Sequence, residues 1–296
     1  MSRKRTWNID WMLRNDEARI NNPGEAIALR DEQLRDIRKG LGDPKKKGLF
    51  RIYYALQPLA TWEALVGIVA VMKEQPNAWQ HIRLSFLYRA WAVRIAVAEH
   101  DSQGDAATGS LQLRDRIIEC LAHSMATHED DFSHWCGGRI VRSFQLGDNA
   151  FSHEYGTPYE PFVILLYALW RREVVDLSAR ISCPLGPYQA LLDAWETEEQ
   201  YLRAILDICE YHCQRCTDSR GNPEPGLCSA PYHMFPADIL AVRRVRRDLG
   251  LPDPNIKHKL LDTPAAHPPN TPLTIDGSLL GQIAQRVRTD YPGVTH

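Results

Sequence analysis

Four of the seven cysteines of this 296-residue chain, Cys209, Cys213, Cys216 and Cys228, fall within twenty residues. His212 and His233 lie in or just beyond the same stretch. Zinc takes four thiolate or imidazole ligands in a tetrahedron. Cys213 and Cys216 are spaced C-x2-C, so Cys213, Cys216, Cys228 and His233 form a candidate zinc set. Cys209 and His212, one helical turn back, offer substitutes. The spacing departs from that of paired C-x2-C modules, and a chain of this length can bury a core without a metal staple. The competing reading is a helix end with reduced, buried thiols, a setting cysteine tolerates well. The sequence is therefore read as needing no cofactor, with zinc as the alternative.

A second constellation runs from His123 to His134, with His128, Glu129, Asp130 and Asp131 between. Imidazoles and carboxylates at these spacings suit a divalent cation. A metal-dependent hydrolase needs further ligands and an ordered outer shell, which nothing in the sequence identifies. The plainer reading is a helix end followed by an acidic surface. Asp193, Glu196, Glu198 and Glu199 form a second carboxylate run, read as a solvated helix face. No nucleophile elbow, P-loop, dinucleotide fingerprint or H-E-x-x-H pattern is present. The pair Gly137-Gly138 reads as a turn.

These residues need elements to position them, and the periodicity is helical almost throughout. Pro23–Lys39 reads as a helix ending at Gly40, with Ile27, Leu34 and Ile37 near one face. A second helix starts near Lys47 and breaks at Pro58, and Thr61 caps another over Trp62–Lys73. Ala78–His100 is apolar on several faces, as a buried bundle helix is. Further helices are expected over Leu111–Thr127, Tyr159–Asp176, Tyr188–Cys216, Pro236–Gly250 and Ser278–Arg288. Arg139–Phe144 is open to a short strand. Six prolines between Pro252 and Pro272 argue for an extended arm. The fold class is all-α, an irregular multi-helix bundle or stacked helical hairpins with a Pro-rich C-terminal arm. The domain reading is one helical body over 1–250, with a subdivision near 101–110 or 145–157, and an arm plus short helix over 251–296.

The net charge of −2 argues against general nucleic-acid binding. The runs Lys45-Lys46-Lys47 and Arg243-Arg244 with Arg246-Arg247 read as a solvated turn and helix face. No apolar core follows the basic start Met1–Trp7, so no signal peptide is read. The most apolar stretches, around Leu65–Met72 and Phe162–Trp170, read as too short for a bilayer. Irregularly spaced, odd-numbered cysteines read as mostly reduced thiols. The expected compartment is the cytoplasm.

Apolar helix patterns recur in Phe162-Val-Ile-Leu-Leu-Tyr-Ala-Leu-Trp170 and Tyr188-Gln-Ala-Leu-Leu-Asp-Ala-Trp195. Phe235-Pro-Ala-Asp-Ile-Leu-Ala-Val-Arg-Arg-Val-Arg-Arg247 then leads into Lys257-His-Lys-Leu-Leu-Asp-Thr-Pro264. Over residues 157–265 this arrangement resembles bacterial immunity proteins of polymorphic toxin and type VI secretion systems. The nearest resemblance is to antidotes of restriction-endonuclease-like nuclease effectors. It implies a non-enzymatic protein that binds a cognate toxin by occluding its active site or clamping a mobile part. It implies no direct contact with nucleic acid or membrane. The expected partner-binding residues are Glu129, Asp130, Asp131, Trp135, Asp148, Glu154 and Tyr155, acidic and aromatic groups suited to a basic toxin surface. A helical adaptor, and a metal-dependent hydrolase using the His123–His134 segment, are the alternatives.

Overall fold

The computed structural model describes residues 7–21, 23–45, 47–103, 114–146, 157–178, 181–216, 225–270 and 278–292. Among these the fold is all-α, with twelve α-helices and no strand. In chain order they are α1 Ile9–Ile20, α2 Pro23–Gly42, α3 Lys47–Met72, α4 Ala78–Gln103, α5 Arg114–Ala126 and α6 Asp130–Leu146. Then come α7 Tyr159–Arg171, α8 Pro187–Asp193, α9 Glu198–Arg215, α10 Pro225–Cys228, α11 Ala237–Asp248 and α12 Ser278–Asp290.

The chain divides into two compact units that interleave in sequence. The hairpin unit holds Asp10–Arg116 and Leu273–His296, and the α11 unit holds Met1–Ile9 and Ile117–Pro272. Compactness thus groups the Pro-rich segment with the α11 unit and the last helix with the hairpin unit, unlike the division expected at residue 250. The other expected division points, 101–110 and 145–157, lie largely outside the described residues.

In the hairpin unit, Ile37 of α2, Leu49, Ile52, Leu56 and Leu59 of α3, Ile95 of α4, and Ile283 and Val287 of α12 share one core. The α2–α3 crossing is tight because Gly40 and Gly48 meet there, and a Cβ on either would strike the other's carbonyl oxygen. α3 runs unbroken through Pro58, against the expected break. Proline removes the donor for the carbonyl four residues back. That residue is Tyr54, which is 63% exposed, so water can replace the lost bond. The continuous 26-residue helix is long and apolar enough to cross a membrane by length and composition, which corrects the reading of its apolar stretch as too short. However, 67% of its apolar window is buried inside the protein. Arg286 of α12 donates from Nη1 to the carbonyls of Gly40, Leu41 and Asp43 and from Nη2 to that of Lys45. These groups lie at and beyond the end of α2, where helical carbonyls lack intrahelical donors.

In the α11 unit, several expected boundaries move. Arg139–Phe144 is helical, inside α6. Gly137 is no turn either: it faces the Tyr167 ring of α7, where a Cβ would collide. α7 stops at Arg171 because Arg172 takes a left-handed conformation, φ 56°. The Glu173 amide then bonds the Ala168 carbonyl, closing a Schellman cap without glycine. The single helix expected over Tyr188–Cys216 is two, α8 and α9, separated by a turn at 194–197. Thr197, extended at φ −106° and ψ 107°, precedes α9, and Glu198 and Glu199 occupy its first turn, where the helix dipole favours acids.

The basic run of α11 is the largest correction. Arg244 and Arg246 are buried and structural and Arg243 is half-buried, while Arg247 alone keeps the exposed, solvated character expected of the run. Arg246 is fully buried. It donates from Nη1 to the Trp195 carbonyl, and from Nε and Nη2 to the Pro252 carbonyl at 3.1 and 3.0 Å. Its guanidinium carbon lies 3.7 Å from the Tyr201 ring centroid and 5.4 Å from that of Trp195. The segment after α11 is therefore packed over the unit, with Ile256, Leu260, Leu261, Ala265 and Ala266 buried. Arg246→Met keeps the apolar stem and strands the Trp195 and Pro252 carbonyls. It should lower stability by about 3 kcal/mol, measured by urea unfolding. A loss below about 0.5 kcal/mol, the scale of a neutral surface change, would contradict this role.

Candidate functional site

The acidic surface expected on the middle of the chain begins at the N-terminus of α6. α5 ends at a second cap without glycine. His128 sits at φ 61°, and the Glu129 amide bonds the Ser124 carbonyl at 3.0 Å. The chain reverses and presents Glu129, Asp130 and Asp131 in succession. Asp130 and Asp131 fall in the first turn of α6, where negative charge is favoured.

Arg244 fixes this edge. Its guanidinium is almost completely buried, ion-pairs Asp130 at 2.7 Å and Asp248 at 3.3 Å, and donates to the Met125 carbonyl at 3.1 Å. It also lies 4.9 Å over the Trp170 ring. Asp130 keeps a side chain 47% exposed, and Asp131 is exposed. One turn on, Trp135 is half-buried with its ring 5.5 Å from Phe132. His134 lies 5.3 Å from the Trp170 ring and 3.5 Å from Arg171. Four of the seven expected contact residues, Glu129, Asp130, Asp131 and Trp135, therefore share the start of one helix. Asp148, Glu154 and Tyr155 lie outside the described residues. The sequence reading placed Arg244 in a solvated run, His134 in a candidate metal segment and Trp170 in an apolar helix, and assigned none of them to the edge that they brace.

His123, the first residue of the candidate metal segment, is in the core. Its Nδ1 is 3.3 Å from the Tyr232 hydroxyl, and its ring packs edge-on to Phe235 at 5.1 Å. His128 caps α5 and His134 meets Trp170, so these three histidines serve three different surroundings.

The cysteine cluster sits along α9 and at α10. Cys209 and Cys213 are buried, and Cys216 and Cys228 are half-buried. Burial keeps the thiols of Cys209, Cys213 and Cys216 protonated, pushing Cys213 up to about 12. Cys216 donates to the Cys213 carbonyl and Cys228 to the Arg215 carbonyl at 2.9 Å, while His233 Nδ1 lies 3.4 Å from the Ser229 carbonyl. Each of these three candidate zinc ligands thus faces a backbone carbonyl. No group of three His, Cys, Asp or Glu able to hold a metal occurs among the described residues. His212 instead joins a buried polar chain. Its Nδ1 is 3.2 Å from Asp238 Oδ1, and the Tyr188 hydroxyl donates to Asp238 Oδ2 at 3.0 Å. This chain ties α8, α9 and α11 together, and the buried His212 Nε2 has no hydrogen-bond partner.

The hairpin unit carries a separate charged cluster. Glu63 of α3 is buried, with Oε2 at 2.7 Å from His81 Nδ1 and Oε1 at 3.9 Å from Arg30. The hydrogen bond to Glu63 raises the His81 imidazole above its ordinary value, opposed by partial burial and by Arg30. Nearby Tyr88 is pushed up to about 12, chiefly by burial.

No family model, curated protein or solved structure matches the chain.

The His81 pair carries a pH dependence whose sign is fixed. A raised native pKa means the folded state holds the proton more tightly than the unfolded chain does. The stabilisation is full below the unfolded value, about 6.5, and is lost as pH rises through the raised native value. Urea midpoints measured at about pH 6 and about pH 9 should fall with pH in the wild type and fall less in His81→Gln. Equal slopes would contradict the linkage.

Proposed function

We propose that this protein acts by binding a protein partner, as an immunity protein that neutralises a cognate toxin, and that the α6 edge is its contact surface. The observation that carries the reading is the bracing of Asp130 by a buried Arg244 on α11. Surface carboxylates on mobile side chains contribute little to an interface. A carboxylate held by a buried guanidinium, beside an exposed Asp131 and a half-buried Trp135, is preorganised for a partner. Preorganised acids favour a basic surface such as that of a nuclease, and raise the association rate by steering. Trp135 and Trp170 supply the aromatic anchors on which interface affinity concentrates.

A second reading, a helical adaptor, draws on α3 of the hairpin unit. Phe50 and Tyr54 are 45% and 63% exposed, and one turn apart on that helix. An adaptor would use that face for a different partner.

The test is co-expression with the product of the neighbouring gene, scored by growth and by co-purification. Rescue and co-purification support the antidote reading. In stopped-flow mixing with that partner at low salt, Asp131→Lys should slow association about tenfold. An unchanged rate would overturn the assignment of this edge.

A further inference from the structure

A cleft of about 470 Å³ opens in the α11 unit between the turn after α5, the outer side of α11 and the segment 255–270. Its volume is in the range of small-ligand sites, about 300–1,000 Å³. The floor is apolar, formed by Leu240 of α11 with Ile256, Leu261 and Ala266 from the segment beyond it. The rim is polar, with His128, Asn255, His267 and Asn270. Those four side chains make no hydrogen bond to another described residue. Elsewhere on α11 donors and acceptors are paired freely, whereas these four surround one concavity without a hydrogen bond among the described residues.

The wall carries two guanidiniums, Arg243 and Arg247, and two carboxylates, Asp262 in the lining and Asp253 beside the arginines. Arg243 holds Asp253 with two hydrogen bonds, at 2.9 and 3.0 Å. Arg247, one turn along the same helix, reaches the same carboxylate only at 4.0 Å and stays 55% exposed. Asp253 is thus taken up by Arg243, and Arg247 is only loosely paired with it. Asp262, exposed on the rim, is the single acidic side chain in the lining. Beside the Asp262 carboxylate, the rim offers the Arg247 guanidinium, two amides and two imidazoles, which are rich in N–H donors. A ligand that satisfies them presents several acceptor oxygens.

His128 adds a second argument. It occupies the left-handed cap position where glycine is the usual residue. Glycine there would leave the cleft with the His267 imidazole alone. Burial, and then Arg244, lower the proton affinity of this imidazole, with Asp130 and Asp248 opposing and Arg247 adding to the lowering. Near neutral pH it is uncharged and able either to donate or to accept.

We propose that this cleft is a binding site for a small organic anion, a carboxylate or phosphate monoester on an apolar body. Arg247 meets the charge, the imidazoles and amides take the remaining oxygens, and the floor takes the body. The site stands independently of the partner-binding reading of the α6 edge, although His128 adjoins both.

The test is NMR titration of the full-length protein with phenyl phosphate, benzoate, benzyl alcohol and benzylamine, following the imidazole Cε1–H signals of His128 and His267. Phenyl phosphate or benzoate should shift both signals saturably, and the tighter of the two identifies the head group. Benzyl alcohol should bind about tenfold more weakly, or not at all, for want of the charge. Arg247→Ala, a change at a largely exposed side chain, should weaken the anion about tenfold, and Arg247→Lys should recover part of that loss. The assignment is overturned if neither anion moves the two imidazoles. It is also overturned if Arg247→Ala leaves the anion's affinity unchanged, or if benzylamine binds more tightly than the anions.

Discussion

A guanidinium with no carboxylate partner among the described residues, shut away from water, is the constraint on which the α11 unit is built. Moving a cation into a protein interior costs several kcal/mol unless hydrogen bonds replace its water shell. Arg246 recovers that cost from two backbone carbonyls and two aromatic rings. One carbonyl belongs to Trp195, in the turn between α8 and α9. The other belongs to Pro252, at the start of the proline-rich segment. Turn, arm and α11 are therefore mutually dependent: displacing any one of them leaves a buried cation short of partners. Arg244 extends the same logic to the ends of α5 and α6, and Arg243 to Asp253. The acidic edge and the cleft lie on opposite consequences of this arrangement. The buried Arg244 guanidinium holds its partner Asp130 at the surface. Where a guanidinium is only loosely paired, as Arg247 is with Asp253 at 4.0 Å, it stays exposed beside the cleft.

The helical class was legible because apolar residues recur at helical spacing over most of the chain. The ends of helices were less so, for identifiable reasons. α5 and α7 close on left-handed His128 and Arg172, and α3 is followed by left-handed Glu74, where a glycine would have announced the stop. Conversely Gly137 looked like a turn and is a packing notch for Tyr167. Pro58 looked like a break, but its lost hydrogen bond falls on an exposed face and α3 continues. The α8–α9 turn depends on Arg246, fifty-one residues away in sequence, and no local pattern encodes it. The same distance hides the role of the arginine run. Four arginines in five positions look solvated until their separate partners are in place. α1, with few buried side chains among Ile9–Ile20, lacked the apolar stripe by which the other helices were read.

Of the candidate chemistry, the acidic start of α6 was legible because charge density at a helix N-terminus is a local property. The cleft was not, because its lining comes from Ala126 to Asn270, and its apolar floor is indistinguishable in sequence from ordinary core. The cysteine cluster was legible as a spacing, but its surroundings were not: Cys209 and Cys213 are buried, Cys216 and Cys228 face backbone carbonyls, and His212 is turned to Asp238.

The claim that α11 locks the turn and the arm into one body is tested most directly by hydrogen exchange of the native protein. The hydrogen-bonded amides of α11, of Tyr201 in α9 and of Leu261, Asp262 and Ala266 should exchange in a single cooperative opening, with protection within about tenfold of one another. Exchange of Leu261, Asp262 and Ala266 faster than α11 by about a thousandfold would mean the segment opens alone, and the buried arginine does not hold it.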